Sequence, residues 1–314
     1  MRRALIVGID QYVGAPLRGC VNDAKRMADL LKTNEDGSPN FECKTLTAPP
    51  FNIGRADLKS RIKELFINEA DVALLYFSGH GTKNILGGYL VTQDAQQHDE
   101  GVPMSDVIAL ANKSRAQEVV ILLDCCHSGA LGDLPGAEDK MLLREGVSIL
   151  TASRGSQVAV EIAGGGVFTS LLCAALEGGA SDVLGKVTIG SIYAYVDQSL
   201  GAWDQRPLFK ALVSKLIPLR TCNPVVPLEI LRRLPEYFTS ESAEFQLDPS
   251  FEPDADPKHP EHEATFRDLQ KLRDARLLVA VGAEHMFYAA INSRSCKLTP
   301  LGRFHWNLAK AGKL

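Results

Sequence analysis

No Cys-x-x-Cys occurs in the chain, and its seven cysteines, at positions 20, 43, 125, 126, 173, 222 and 296, show no paired spacing. A zinc site needs spaced Cys and His clusters, so no metal is expected. An odd count without regular spacing is not a disulfide framework, and vicinal Cys125 and Cys126 could form only a strained bridge. A reducing, cytoplasmic compartment is therefore expected. No apolar stretch reaches the length of a membrane-spanning helix, so no membrane partner is expected. The opening MRRALIVGID puts basic residues before an apolar run, but that run meets Asp10 too soon for a secretory signal core. Neither a GxGxxG nor a P-loop follows this first run, which excludes the common nucleotide-binding patterns. Strong charge is missing as well: a formal net charge of -4 argues against nucleic acid as a partner of the whole chain.

What is present is a well-filled core. The 314 residues are 45% hydrophobic, enough for one large domain and a smaller one. Ala4–Ile9, Asp71–Phe77, Glu118–Leu123 and Val147–Ala152 are near-continuous apolar runs that read as buried strands. Glu42–Leu46, Tyr89–Thr92 and Leu208–Leu212 are weaker strand candidates. Between them, Val21–Lys32, Asp57–Phe66, Ser105–Asn112, Val167–Glu177 and Ile189–Leu200 carry apolar residues at helical spacing. Buried strands alternating with helices predict a mainly parallel sheet covered on both faces.

Beyond residue 220 the character changes. Seven prolines between Pro224 and Pro260 predict a connecting segment over 221–263, whose acidic latter half, DPSFEPDADPKHPEHE, is expected to be exposed, with His259 and His262 solvated. Residues 264–314 read as helix, hairpin, helix: an amphipathic Phe266–Leu278, an alternating MFYAAIN and a closing run that Thr299 and Pro300 would start. That order suits part of a winged-helix module. Its cations, interleaved with Phe287, Tyr288, Phe304 and Trp306, read as a solvated face over a small core that docks on the first domain or on a partner. The expected domains are thus 1–220, 221–263 and 264–314.

In open parallel sheets the ligand site lies beyond the carboxyl ends of the strands. The run ending at Phe77 leads into Ser78-Gly79-His80-Gly81, and the run ending at Leu123 leads into Asp124-Cys125-Cys126-His127-Ser128-Gly129. Both clusters should share one rim. A thiol is a poor nucleophile until it loses its proton, and an imidazole can accept that proton and later protonate a leaving amine. Flanking glycines permit tight turns whose free N–H groups can bind an oxyanion. Spacing alone does not choose between Cys125 and Cys126.

These residues carry a specific resemblance. SGHG and DCCHSG, each after an apolar strand, together with GCVNDA, TASRGSQVAVE and FTSLLCAAL, resemble the motifs of the caspase-like cysteine peptidases, metacaspases and their bacterial relatives, across roughly residues 1–215. The resemblance implies a three-layer α/β/α sandwich, with a small C-terminal α+β, winged-helix-like module added here. It implies Cys126 as nucleophile, His80 as general acid and base, and oxyanion-hole N–H groups from Gly81 and Cys126. Asp23 and Asp124 would form an acidic pocket lined by Ser78, so cleavage after Arg or Lys is expected; a buried carboxylate pair is costly until a guanidinium satisfies it. His127 is taken as structural.

Two further expectations concern control. The segment after the His motif holds only Asp94, Asp99 and Glu100, whereas calcium wants six to eight oxygens, so no cofactor and no calcium dependence are expected. Ala130–Gly146 is loop-like and contains Lys140 and Arg144; cleavage after either, by the protein itself or by an activating protease, would convert a precursor, and a tolerant surface loop is the alternative. The expected partners are protein substrates with Arg or Lys at the cleavage point, together with an activating protease or regulatory protein, and the resemblance suggests bacterial stress, cell-death or phage-defence signalling. The alternative function is a catalytically silent scaffold acting through its C-terminal module.

Overall fold

The computed structural model describes residues 1–84, 87–97, 99–125, 142–152, 161–162, 165–200 and 207–314. The chain forms two compact units, Met1–Ser181 with Lys186–Asn223, and Asp182–Gly185 with Pro224–Leu314. The first runs β1 (Arg2–Ile9), α1 (Cys20–Lys32), β2 (Glu42–Ala48), α2 (Arg55–Ile67) and β3 (Val72–Ser78). A small antiparallel sheet follows, β4 (Gly81–Asn84), β5 (Gly87–Gln96) and β6 (Asp99–Pro103), then α3 (Met104–Asn112), β7 (Glu118–Asp124) and β8 (Val147–Thr151). The short β9 (Glu161–Ile162) and β10 (Gly165–Gly166) lead into α4 (Val167–Ala174), and β11 (Lys186–Val187), α5 (Ile189–Leu200), β12 (Leu208–Leu212) and β13 (Arg220–Thr221) complete the unit.

The main sheet has the order β12-β8-β7-β3-β1-β2. Neighbouring pairs from β2 through β8 are parallel, and β12 joins β8 antiparallel. Every residue of β3 and β7 is buried, as strands covered on both faces must be. Alternation then sorts their side chains between two cores. Leu5, Val7, Leu75, Phe77, Ile121 and Leu123 pack with Leu58 and Ile62 of α2 and Val107 of α3. Ala4, Ile6, Leu74, Tyr76, Val120 and Leu122 pack with Met27 and Leu31 of α1, Leu172 of α4 and Ile192 of α5. The result is the expected helix–sheet–helix sandwich. At Gly8, α1 passes so close to β1 that a Cβ would collide with the Cys20 carbonyl oxygen.

The second unit corrects two expectations. Residues 221–263 are more than a connector, although Pro253, Asp254 and residues 256–261 in the latter half are exposed as expected. They supply α6 (Leu228–Arg232), α7 (Leu234–Tyr237), β14 (Glu244–Gln246) and a 3-10 turn at Pro249–Phe251. Val226, Ile230, Leu231, Leu234, Tyr237, Phe238, Leu247 and Phe251 enter one core with Phe266, Leu269, Leu272 and Trp306. The prolines punctuate rather than dissolve the structure: Pro227 precedes α6, Pro249 opens the 3-10 turn, and Pro260 opens α8 (Pro260–Asp274), where its missing N–H costs nothing. His262 stacks on Phe251 with centroids 4.5 Å apart.

Nor is the alternating run a hairpin. After β15 (Leu278–Val281), residues Met286–Ile291 form α9, burying Met286, Ala289 and Ala290 at the i, i+3, i+4 spacing of a helix. The antiparallel pairing runs instead between β15 and β16 (Ser295–Leu298), with β14 on the other side of β16. The closing α10 (Pro300–Lys310) starts as expected, with the Thr299 hydroxyl accepting from Gly302 N at 3.1 Å, and its buried Trp306 Nε1 donates to the Phe238 carbonyl at 2.8 Å. Among the described residues no helix is long and apolar enough to cross a membrane.

Gly8→Val forces backbone against backbone at the α1–β1 crossing. It is expected to cost about 3 kcal/mol of stability in chemical denaturation, the upper end for overpacking, and a cost near zero would contradict the close approach.

Candidate active site

Register places three strand ends on one level. Gly8 of β1 pairs with Ser78 of β3, and Ser78 pairs with Asp124 of β7. The chain segments that leave these ends carry the polar side chains of the rim, as open parallel sheets dictate.

His80 leaves β3 through Gly79, whose N–H donates to the Asp124 carbonyl at 3.3 Å. Tyr12, from the loop after β1, holds the imidazole's backbone. Its hydroxyl accepts from His80 N at 3.0 Å and donates to the Val91 carbonyl at 3.2 Å, while Val91 N donates to the His80 carbonyl at 3.0 Å. The two rings lie 4.6 Å apart, centroid to centroid. Burial pushes the Tyr12 pKa well up, so the phenol stays a donor. A side chain on Gly79 would collide with that hydroxyl. His80 Nε2 lies 2.7 Å from the Ala15 carbonyl oxygen. A carbonyl can only accept, so Nε2 carries the hydrogen, and in the neutral ring Nδ1 keeps the lone pair available to a proton.

Two carboxylates meet beside this rim. Asp10 accepts from Cys20 N at 2.8 Å and Val21 N at 3.4 Å, closing the start of α1 and setting Asp23 in its first turn. Asp23, 1% exposed, accepts from Gly166 N at 2.8 Å. Asp124, 6% exposed, accepts from Thr169 Oγ1 at 2.6 Å. A Cβ on Gly166 would overlap Asp124 Oδ2 and lie 3.3 Å from Asp23 Oδ2, so both acids converge on this one glycine at the start of α4. The helix N-terminus favours the negative charge there. Since Thr169 donates to Asp124, the Tyr76 hydroxyl, 2.6 Å from Thr169 Oγ1, must donate to it. Burial first, then Asp124 and Asp23, pushes the Tyr76 pKa well up and keeps that proton in place. Ser78 is buried on the same sheet level, one strand from Asp124.

Cys125 is 1% exposed and belongs to the core that contains Tyr12 and Phe77. Gly81 opens β4 beside the imidazole. Cys126, His127 and Lys140 lie outside the described residues. Arg144, one of the two expected processing positions, is half-buried. Its guanidinium donates to the carbonyls of Ala116 at 2.7 Å, Ala111 at 3.4 Å and Glu145 at 2.6 Å, and its own N–H bonds Asn112 Oδ1 at 2.9 Å. These contacts brace the carbonyls around the end of α3. The three acids after the His motif are each engaged by protein groups, two of them by Arg55. Asp94 accepts from Thr92 Oγ1 at 2.6 Å and from Arg55 N at 3.0 Å, Asp99 pairs with Arg55, and Glu100 accepts from Asn84 at 3.2 Å.

Sequence reasoning missed Tyr12, the Ala15 carbonyl, Gly166, Thr169 and Tyr76. A backbone carbonyl has no residue signature, and Gly166 offered only its place in the run AGGG before a helix.

The caspase-domain model of the peptidase C14 family matches residues 1–219. Metacaspase III c of Phaeodactylum tricornutum is 34% identical over 161 residues, covering 43% of this chain and 44% of that protein. Metacaspase-2 of Trypanosoma brucei brucei is 32% identical over 155 residues, covering 42% and 43%, and Metacaspase-1 of Saccharomyces cerevisiae is 30% identical over 153 residues, covering 43% and 35%. The chain thus spans under half the length of the curated relatives it matches. Among solved structures, protein GSU0716 from Geobacter sulfurreducens superimposes with a TM-score of 0.52 at 18% identity, over 71% of this chain and 100% of that chain, a likeness of fold.

Tyr12→Phe removes the acceptor of the His80 N–H. Amide exchange at His80 is expected to speed up about tenfold or more while Val72–Phe77 stay protected; an unchanged His80 rate would contradict the clamp.

Proposed function

The chain belongs to the caspase-domain family of cysteine peptidases, peptidase C14, and on that premise we propose that it cuts proteins after Arg or Lys, with Cys126 as nucleophile and His80 as its proton-transfer partner. His80 Nδ1 takes the thiol proton, and the thiolate adds to the substrate carbonyl carbon. The N–H groups of Gly81 and Cys126 bind the oxyanion that forms. The adduct collapses as His80 returns the proton to the leaving amine, giving a thioester and a free amino-terminal fragment. His80 then takes a proton from water; the hydroxide adds, and collapse releases the acid and restores the thiol.

The observation that carries this reading is the convergence of Asp23 and Asp124 on Gly166, one strand from His80. Two carboxylates brought together out of water repel and lose hydration, and a guanidinium or ammonium from the substrate relieves both costs at once. An aspartate side chain would add a third negative charge. Ser78 lines the same level. The Ala15 carbonyl favours the tautomer in which Nδ1 serves as base.

Lys140 and Arg144 are the candidate processing positions in this reading. Uncut protein is a weakly active precursor, calcium is not required, and the setting is regulated cytoplasmic proteolysis in stress, cell-death or phage-defence signalling.

Matched fluorogenic peptides ending in Arg, Lys or Asp test the reading. Wild type is expected to release fluorophore from the first two and not the third, with EDTA leaving the rate unchanged. Cys126→Ala should lower the rate about 10³-fold or more. Asp124→Asn should lower kcat/KM on the Arg peptide about 10²-fold, the effect of leaving a buried charge pair broken. Turnover of the Asp peptide alone, or full activity in Cys126→Ala, would overturn it.

A further inference from the structure

On the flank of His80 lies a cavity of about 360 Å³ whose walls include Tyr12, Ala15, His80, Gly81, Gln93 and Glu100. Neither Asp23 nor Asp124 lines it. That division has a direction. The carboxylate pair would mark where the side chain before the scissile bond sits, and the imidazole must touch the leaving amine in order to protonate it. The substrate chain beyond the cut therefore passes along the imidazole, toward this cavity. Its volume suits one or two side chains.

The polar groups of the wall are unequal. The Gln93 amide is committed at both ends: its oxygen accepts from Ile53 N at 2.7 Å and its nitrogen donates to the Gln11 carbonyl at 2.8 Å. The Thr92 hydroxyl is taken by Asp94. Glu100 is different. Its Oε1 accepts from Asn84 at 3.2 Å, while Oε2 is buried from water and makes no hydrogen bond among the described residues. Among the described residues no cation forms an ion pair with Glu100, and Arg55 is bound to Asp99. A half-buried carboxylate whose Oε2 is covered, without a counter-charge among the described residues, favours a cation in the adjoining cavity through its field.

We infer that this cavity binds a side chain on the leaving-group side of the scissile bond and that Glu100 makes it prefer Lys or Arg over acidic residues. The inference rests on the cleavage reading above and narrows its substrate class: segments with a basic residue before the cut and another one or two positions after it. Glu100 touches no reacting atom. Its role is recognition, read as a preference between substrates rather than as a rate on one.

Internally quenched peptides identical through an Arg at the cut, with Lys, Ala or Glu at the first and second positions beyond it, test this. Wild type is expected to favour Lys over Glu by about tenfold in kcat/KM, the scale of one charge-assisted hydrogen bond. The ratio should fall to near one in Glu100→Gln and invert in Glu100→Lys; being a ratio, it is insensitive to how much of a variant is folded. A wild-type ratio near one, or an unchanged ratio in both variants, overturns the inference. An Arg-coumarin amide, which has no residue beyond the cut, separates the two levels. If wild type hydrolyses it and shows no preference among the quenched peptides, the inference alone fails; if wild type does not hydrolyse it, the cleavage reading fails and the inference with it.

Discussion

The parallel register of β1, β3 and β7 is the constraint on which the site depends. It brings Gly8, Ser78 and Asp124 level, so that His80 emerges one strand away from a carboxylate set in the sheet's last row. A one-residue slip of β7 would swap its faces, sending Asp124 into the layer now filled by Leu123 and Cys125. The apolar alternation on both sides of the sheet opposes that slip, because every side chain of β3 and β7 is buried. The core and the chemistry are thereby one constraint: the packing that stabilises the fold also fixes which groups reach the rim.

Around that frame two acids are brought to one place by separate parts of the chain. Asp23 comes from α1, Asp124 from β7, and Gly166 and Thr169 from the start of α4, so three separate segments must be folded before the carboxylates meet. Among the described residues a backbone N–H, a hydroxyl and a helix N-terminus contribute to holding these acids in place. Gly166 is required sterically, since any side chain there would displace an acid. Under the cleavage reading proposed above, a cationic side chain before the scissile bond is the occupant that two such acids would favour.

Much of this was legible in the sequence, for a physical reason. Strands buried on both faces read as unbroken apolar runs, so Ala4–Ile9 and Glu118–Leu123 announced the sheet, and their polar continuations announced the rim. Where the pattern was short or shared between two periods, reading failed. Met286–Ile291 fits alternation as well as a helical face, and only packing settles it as α9. The proline-rich stretch looked solvated because its apolar residues are widely spaced, although Phe238, Leu247 and Phe251 all enter a core. The bracing contacts of Arg144 were hidden because carbonyl acceptors leave no trace in a residue string. The same blindness hid the Ala15 carbonyl and the Tyr12 clamp, which set the tautomer and position of the one imidazole the chemistry needs.

The most direct test is covalent. A peptidyl-arginine chloromethyl ketone should alkylate the activated thiolate, and peptide mapping by mass spectrometry should find the adduct on Cys126, with none on buried Cys125 and none from the matching aspartyl reagent. No adduct at Cys126, or equal labelling by the aspartyl reagent, would contradict an imidazole-activated thiol beside a carboxylate pocket.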